Sequence, residues 1–292
     1  MRILVLGITG MLGHKAFEYF SGLKNYDTFG TLRKENDILK YFNKSINKEN
    51  IFSNINALNT EGVYKIINKI KPDIILNCIG IIKQLKESKD PMLSIEINAL
   101  FPHKLASFLE GTTTRLVHIS TDCVFSGNKG NYFEKDVSDA KDLYGKTKFL
   151  GELNSYKNSI TLRTSIIGPE LKTKVSLLEW FLSQKDDING YVNAIYSGFP
   201  TNELINIIDN YIIPNNNLYG LYNVSSSSIN KFELLSLIKK EYKKNILIKP
   251  FQDFKNDKSL NCERFMLDFK YQFKSWELMV KEMKETHIKN PY

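Results

Sequence analysis

The chain has 292 residues, 42% of them apolar and 25% charged, and carries a formal charge of +8 from 40 basic and 32 acidic side chains. That length accommodates one large domain or two unequal lobes around a cleft, and no apolar run approaches the roughly 20 residues that span a bilayer. Three cysteines (Cys78, Cys123, Cys262) without CxxC spacing, and four histidines (His14, His103, His118, His287) in no ligand pattern, give the expectation of reduced thiols and no metal site.

The first segment, "RILVLGITG", lacks the apolar region and cleavage site of a signal peptide, so a cytoplasmic protein is expected, with no membrane partner. Basic residues are spread along the chain and no nucleic-acid motif accompanies them. The excess charge therefore reads first as a solvated lysine-rich surface; the alternative is attraction to an anionic small molecule such as a diphosphate.

In chain order, "RILVLG" is a continuous apolar run suited to a strand buried on both faces, and "HKAFEYFSGL" has helical spacing. "YDTFGTL" reads as a second strand. "EGVYKIINKI" reads as an amphipathic helix, with Val63, Ile66, Ile67 and Ile70 on one stripe. "DIILNCIG" is a buried strand, "SIEINALFPHKLASFLE" a long helix, "RLVHIS" a strand, Tyr144 to Leu153 a helix and "SITLRTSIIG" a strand. Alternation with short connections predicts a Rossmann-type, doubly wound parallel sheet. Residues 1–168 form its nucleotide domain. After about residue 170 the pattern loosens, and residues 169–292 read mainly as a smaller, mixed C-terminal substrate lobe, with roughly 190–224 returning to the first. Trp180 and Trp276 fall in apolar helical patterns and are expected to pack in the core. "GFPTNEL" is expected to start a helix capped by Thr201 or Asn202.

"GITGMLG" spaces Gly7, Gly10 and Gly13 as GxxGxxG between a strand and a helix, the context of a dinucleotide site. Gly7 and Gly10 would let the backbone turn and approach a pyrophosphate, Gly13 would let the helix pack on the sheet, and the helix N-terminus would offer free N–H groups to the anion. About twenty residues on, where an acid commonly holds the ribose of NAD, "GTLRKEN" offers Arg33 and Lys34, which suit the 2′-phosphate of NADPH, with NADH as the alternative cofactor.

Tyr144 and Lys148 lie four apart, on one face of a helix, so an ammonium beside the phenol would lower its pKa from about 10. Thr121 would stand at the carboxyl end of the "RLVHIS" strand, where parallel sheets bind ligands, and its hydroxyl would hold a carbonyl oxygen beside Tyr144. Such a trio suits carbonyl–alcohol interconversion with a nicotinamide.

On "GITGMLG", "DIILNCIG", "INALFPHKLA", "STDCVFSGNKGNYFEKD", "LYGKTKFLGE" and "LRTSIIG", the chain resembles an extended short-chain dehydrogenase/reductase, and more narrowly the dTDP-4-dehydrorhamnose reductase family. The resemblance covers residues 1–168 well and is looser in "SGFPTNELINII" and "GLYNVSS". It implies Thr121, Tyr144 and Lys148 as catalytic, with Lys148 also on the nicotinamide ribose. It also implies a phosphate turn of Gly7, Thr9, Gly10, Met11 and Leu12. Asn56, beside Ala57, stands where the family usually has an aspartate near the adenine. Cys78, Ile79 and Gly80 match the segment beside the cofactor, Asn98 a supporting helix asparagine, and Thr164 and Ser165 the passage past nicotinamide and substrate. Related sugar-nucleotide 4,6-dehydratases follow the threonine with an Asp–Glu pair. Here Asp122 is followed by Cys123, which favours simple reduction over dehydration.

The resulting expectation is NADPH-dependent reduction of a 4-keto-6-deoxy sugar on a nucleoside diphosphate, for surface polysaccharide, by a protein whose assembly could be a homodimer. Two rivals stand beside it. One is an epimerase that keeps NAD bound. The other is a non-catalytic NADP-binding regulatory subunit, like the one attached to methionine adenosyltransferase.

Overall fold

A computed structural model describes residues 1–34, 42 and 46–289. β1 (Arg2–Leu6) leads into α1 (Met11–Ser21), and then come β2 (Asp27–Thr31), β3 (Ile51–Phe52), α2 (Thr60–Ile70) and β4 (Ile74–Asn77). A long helix starts as α3 (Pro91–Ser94), widens into a π-turn over Ile95–Leu100 and continues as α4 (Phe101–Phe108). Pro102 explains the widening: it has no N–H to give the Asn98 carbonyl four residues back. β5 (Arg115–Thr121), α5 (Leu143–Leu150), β6 (Ser159–Thr164) and β7 (Ile166–Ile167) complete the first half. α5 ends at Leu150, with Gly151 as its cap, short of the expected Leu153.

The second half contains α6 (Leu177–Ser183), β8 (Ile188–Tyr196), β9 (Phe199–Pro200), α7 (Thr201–Ile207), β10 (Gly220–Asn223), β11 (Ile229–Asn230), α8 (Lys231–Tyr242), β12 (Ile248–Asp257), α9 (Glu263–Phe269) and α10 (Trp276–Lys289). The main sheet has seven strands in the order β10-β6-β5-β4-β1-β2-β3, all parallel. β10 thus returns from the second half to the edge of the large sheet, while β11-β8-β12 form a separate three-stranded sheet.

Both faces of the large sheet are buried, as the unbroken apolar strands require. Ile3, Val5, Ile74, Leu76 and Val117 face one helical layer, with Phe17, Phe20, Leu204 and Ile208. Leu4, Leu6, Ile75 and Leu116 face the other, with Val63, Ile67, Phe101 and Leu105. The strand order reverses beside β1, so the loops after β1 and β4 flank a crevice at the carboxyl edge, the usual ligand position in such sheets.

Two local expectations need correction. Trp276 is buried and donates its Nε1–H to the Ser227 carbonyl at 2.8 Å, but Trp180 is 37% exposed. The inward stripe of α6 is Leu178 and Phe181, and Trp180 falls off it. Neither Thr201 nor Asn202 caps α7: the cap is Pro200, without a side-chain bond, and Thr201 is buried in the first turn against Gly168.

Candidate active site

Gly7 leaves β1 with φ at +84°, a conformation that favours glycine, and its N–H donates to the Thr31 carbonyl at 3.2 Å. Gly10 then stands at the N-terminus of α1, its N–H on the Gly7 carbonyl at 3.1 Å. A Cβ on Gly13 would lie 2.2 Å from the Gly7 oxygen, so glycine there is a condition of the helix packing on the turn. At Gly10 the protein leaves room: the nearest atom to an added Cβ is 3.6 Å away. No side chain caps α1, so the first-turn amides of Met11 and Leu12 point outward without intrahelical partners. A glycine made necessary by nothing in the protein, beside free helix amides, fits the close approach of a pyrophosphate.

Thr9 is exposed at the tip of this turn, and Arg33 and Lys34 are exposed two and three residues beyond β2. Asn56 spends its side-chain oxygen on the Leu58 N–H at 3.1 Å, bracing the turn beside buried Ala57. After β4, Cys78 pairs with Leu6 across the crevice, and the Ile79 N–H is held by the Asn77 side chain at 3.1 Å. Asn98, buried in the π-turn, accepts from the Ile81 N–H at 2.8 Å and donates to the Ile81 carbonyl at 3.1 Å. Its amide also reaches Thr147 at 3.4 Å, so one side chain ties the loop carrying Gly80 to α5.

Thr121 ends β5 and pairs in register with Thr164 of β6; Ser165 follows directly. The Thr121 Oγ1 accepts the Cys123 N–H at 3.1 Å and donates to Asp122 Oδ1 at 3.1 Å. Asp142 caps α5 through the Gly145 N–H at 2.8 Å and is itself held by Lys83 at 2.7 Å. A Cβ on Gly145 would fall 2.2 Å from the Cys123 carbonyl oxygen. This close contact, unremarked in the sequence, brings Tyr144 against the loop after Thr121. The Thr121 hydroxyl is near enough to the phenol to favour its ionisation, against the larger effect of burial.

Lys148 is buried on the same helix as Tyr144. Its Nζ donates to the Ile119 carbonyl at 2.7 Å, inside the fold. Burial, followed by Cys123, pushes the Tyr144 pKa up, the reverse of the expectation. Burial also pushes the Cys78 and Cys123 thiols up to about 12, so neither is a ready nucleophile.

Burial lowers the Lys148 ammonium to about 8, against opposing pulls from Glu152 and Cys78. The unfolded chain keeps that proton up to about 10.5, so between these values the unfolded state binds more protons and stability rises with pH. Below about 8 the buried charge costs the folded protein up to about 3 kcal/mol. Lys148→Met is therefore expected to melt higher than wild type at pH 7, with the gap closing between pH 8 and 10.5. Melting curves at pH 7 and pH 10 that show the same gap would remove the ammonium as its source.

Two further groups were not singled out from the sequence. Glu152 and Arg163 form a buried bidentate pair at 2.9 and 2.6 Å, and Ser120 donates to Glu152 at 2.7 Å. The signal was an arginine inside the apolar strand "SITLRTS", a position that requires a partner. Among the described residues no cluster could hold a metal ion and no helix is long and apolar enough to cross a membrane.

Comparison with known proteins agrees with this architecture. The chain is 22% identical to a dTDP-4-dehydrorhamnose reductase from Bacillus anthracis solved in complex with NADP, with 98% of each chain covered and a TM-score of 0.78. At that identity the likeness speaks for the fold. It is 30% identical over 180 residues to a dTDP-4-dehydrorhamnose reductase of Aggregatibacter actinomycetemcomitans, covering 59% of this chain and 61% of the relative. It is 28% identical over 174 residues to methionine adenosyltransferase 2 subunit beta of Mus musculus, covering 59% and 48%. These two matches thus span between about half and three fifths of the relatives' length. Residues 1–287 match the family described as RmlD substrate binding domain, and the chain belongs to that family of extended, dTDP-4-dehydrorhamnose reductase-like short-chain dehydrogenases/reductases.

Proposed function

We propose that the protein is an NADPH-dependent reductase of a 4-keto-6-deoxy sugar carried on a nucleoside diphosphate. The observation that supports the reading is the packing of α5 on the loop after β5, with Gly145 against the Cys123 carbonyl, which sets Tyr144 beside the strand end that carries Thr121. Gly7, Thr9, Gly10, Met11 and Leu12 would hold the dinucleotide phosphates. Arg33 and Lys34 would take the 2′-phosphate, Asn56 and Ala57 would flank the adenine, and Cys78, Ile79, Gly80, Thr164 and Ser165 would flank the nicotinamide. Asn98 would keep the Gly80 loop in place. Bound NADPH would supply the hydride.

The protein's own contribution is positioning and a proton. Thr121 presents its hydroxyl to the C4 carbonyl oxygen. Tyr144, whose pKa burial raises, is protonated throughout the neutral range and gives its proton to the developing alkoxide. Lys148, fixed on the Ile119 carbonyl, would hold the nicotinamide ribose of the bound cofactor. Water loss would need a second acid–base group after Asp122, and the thiol of Cys123, pushed up to about 12, is a poor one.

The test is a panel of 4-keto-6-deoxy sugars on dTDP, UDP and GDP, assayed by loss of NADPH absorbance. Consumption with one of them supports the reading. Turnover without added reductant by protein carrying tightly held NAD would instead mark an epimerase. Inertness across the panel together with a stable methionine adenosyltransferase-like partner would mark a regulatory subunit.

Arg33→Ala gives a narrower test. Loss of a guanidinium from a 2′-phosphate should raise KM for NADPH about tenfold while leaving KM for NADH unchanged. An unaltered ratio of the two would take Arg33 out of cofactor selection.

A further inference from the structure

Asn223 is the last residue of β10 and is fully buried. Its amide nitrogen donates to the Tyr132 carbonyl at 2.8 Å and to the Asn261 carbonyl at 3.2 Å, and its amide oxygen faces Arg163 Nη1 at 3.5 Å. Its backbone N–H donates to the Glu134 carboxylate at 3.0 Å. One side chain thus joins the edge of the large sheet, the loop that follows Thr121 and the 256–261 segment of the small lobe. That segment is itself laid along the loop. Asn256 donates to the Ser126 carbonyl at 3.0 Å, the Asn131 N–H to Ser259 Oγ at 2.8 Å and the Asn261 N–H to the Tyr132 carbonyl at 2.8 Å.

Two lines of contact run from Asn223 to the two flanks of Thr121. On the loop side, Tyr132 stacks on Phe125 at 4.0 Å, and its hydroxyl oxygen accepts the N–H groups of Gly127 and Lys129 at 3.2 and 3.0 Å. Phe125 gives its own N–H to the Asp122 carbonyl at 3.0 Å, closing the turn that Thr121 caps. On the sheet side, Arg163 is the register partner of Asn223. It holds Glu152 at 2.9 and 2.6 Å, and Glu152 accepts from Ser120 at 2.7 Å. Residues 120 and 122 are therefore both tied to the end of β10. The junction requires a carboxamide: the NH2 serves two carbonyls while the oxygen faces a guanidinium, and neither a carboxylate nor a hydroxyl does both. A buried network with its groups paired in this way holds a single arrangement.

We propose that Asn223 is a positioning residue, which fixes the place of the Thr121 hydroxyl through Tyr132 on one flank and Arg163 on the other. The clasp rests on the distances above; its effect on turnover rests on the reductase reading.

The experiment compares wild type with Asn223→Asp and Asn223→Ser. The control is Tyr222→Phe, which removes a hydroxyl bonded to Asp268 at 2.9 Å on the same strand. Asn223→Asp keeps the shape of the side chain and loses both donors. Asn223→Ser is too short to reach the two carbonyls, and it decides if Asn223→Asp does not fold. In the folded variant, amide hydrogen exchange at Cys123, Gly127 and Lys129 should quicken about tenfold, with β1 and β4 as slow as before. The kcat for the accepted 4-keto sugar should fall at least about tenfold, while NADPH affinity and the sugar's KM stay within twofold. In a Thr121→Ala background the same substitution should cost no further turnover, because its effect runs through that hydroxyl. Tyr222→Phe should match wild type in exchange and in turnover. Wild-type exchange and kcat in the Asn223 variants overturn the proposal. So does a loss that adds in full to that of Thr121→Ala, which would mark a general loosening of the fold. Should wild type reduce no sugar of the panel, exchange decides alone. Quickened amides then keep the clasp and sink only the reductase reading; unchanged amides sink the clasp as well.

Discussion

Tyr144→Phe is expected to lower turnover of the 4-keto sugar at least about 100-fold, the usual scale for removing a positioned proton donor. NADPH affinity should stay within twofold, because the substitution removes one oxygen and leaves the ring in place. The electrostatics sharpen the expectation. Burial raises the phenol's pKa, so the group is a donor across the neutral range and no acid limb in kcat should belong to it. The hydroxyl of Thr121 beside it favours the phenolate that remains after transfer, which eases release of the proton. The measurement is single-turnover decay of NADPH fluorescence in both proteins. Wild-type decay in Tyr144→Phe would mean that another group protonates the alkoxide. Asp122, half-buried on Thr121 and with its own pKa raised by burial, would be the first to examine.

The sheet was legible because β1 and β4 are apolar runs, each adjoining a helix with an apolar stripe. Ile3 to Leu6 could be buried on both faces only in a parallel sheet covered on both sides. The phosphate turn was legible for the same kind of reason: Gly13 has no alternative in that packing. The direction of the Lys148 side chain was not legible. Spacing fixes which face its Cα shares with Tyr144, but a flexible four-carbon stem follows the best acceptor, here the carbonyl of Ile119 from another element. Trp180 shows the complementary limit, since an apolar helical pattern does not say which apolar residue is left outside when the helix is only seven residues long. The pairing of segment 256–261 with the loop after Thr121 could not be found from sequence, because its bonds join residues more than a hundred apart in the chain.

Glu152→Ala is expected to cost about 3–5 kcal/mol of stability, the range for breaking a buried ion pair by removing one partner. The arrangement places it at the upper end. Glu152 and Arg163 are both almost fully buried, and the carboxylate also supports the charge on Lys148 and accepts from Ser120. Its loss leaves two buried cations and an unpaired hydroxyl next to Thr121. Arg163 keeps only a 3.5 Å contact with Asn223 and the face of Phe125 at 4.9 Å. Arg163→Met should be milder, because the remaining carboxylate retains Ser120 and Lys148. Replacing both, as Glu152→Leu with Arg163→Met, should recover most of the stability, since well-packed apolar groups often equal a buried pair. Urea melts of the three variants test this order. If Glu152→Ala unfolds within about 1 kcal/mol of wild type, the two cations are relieved by solvent, and the pair does not hold the floor on which Thr121 stands.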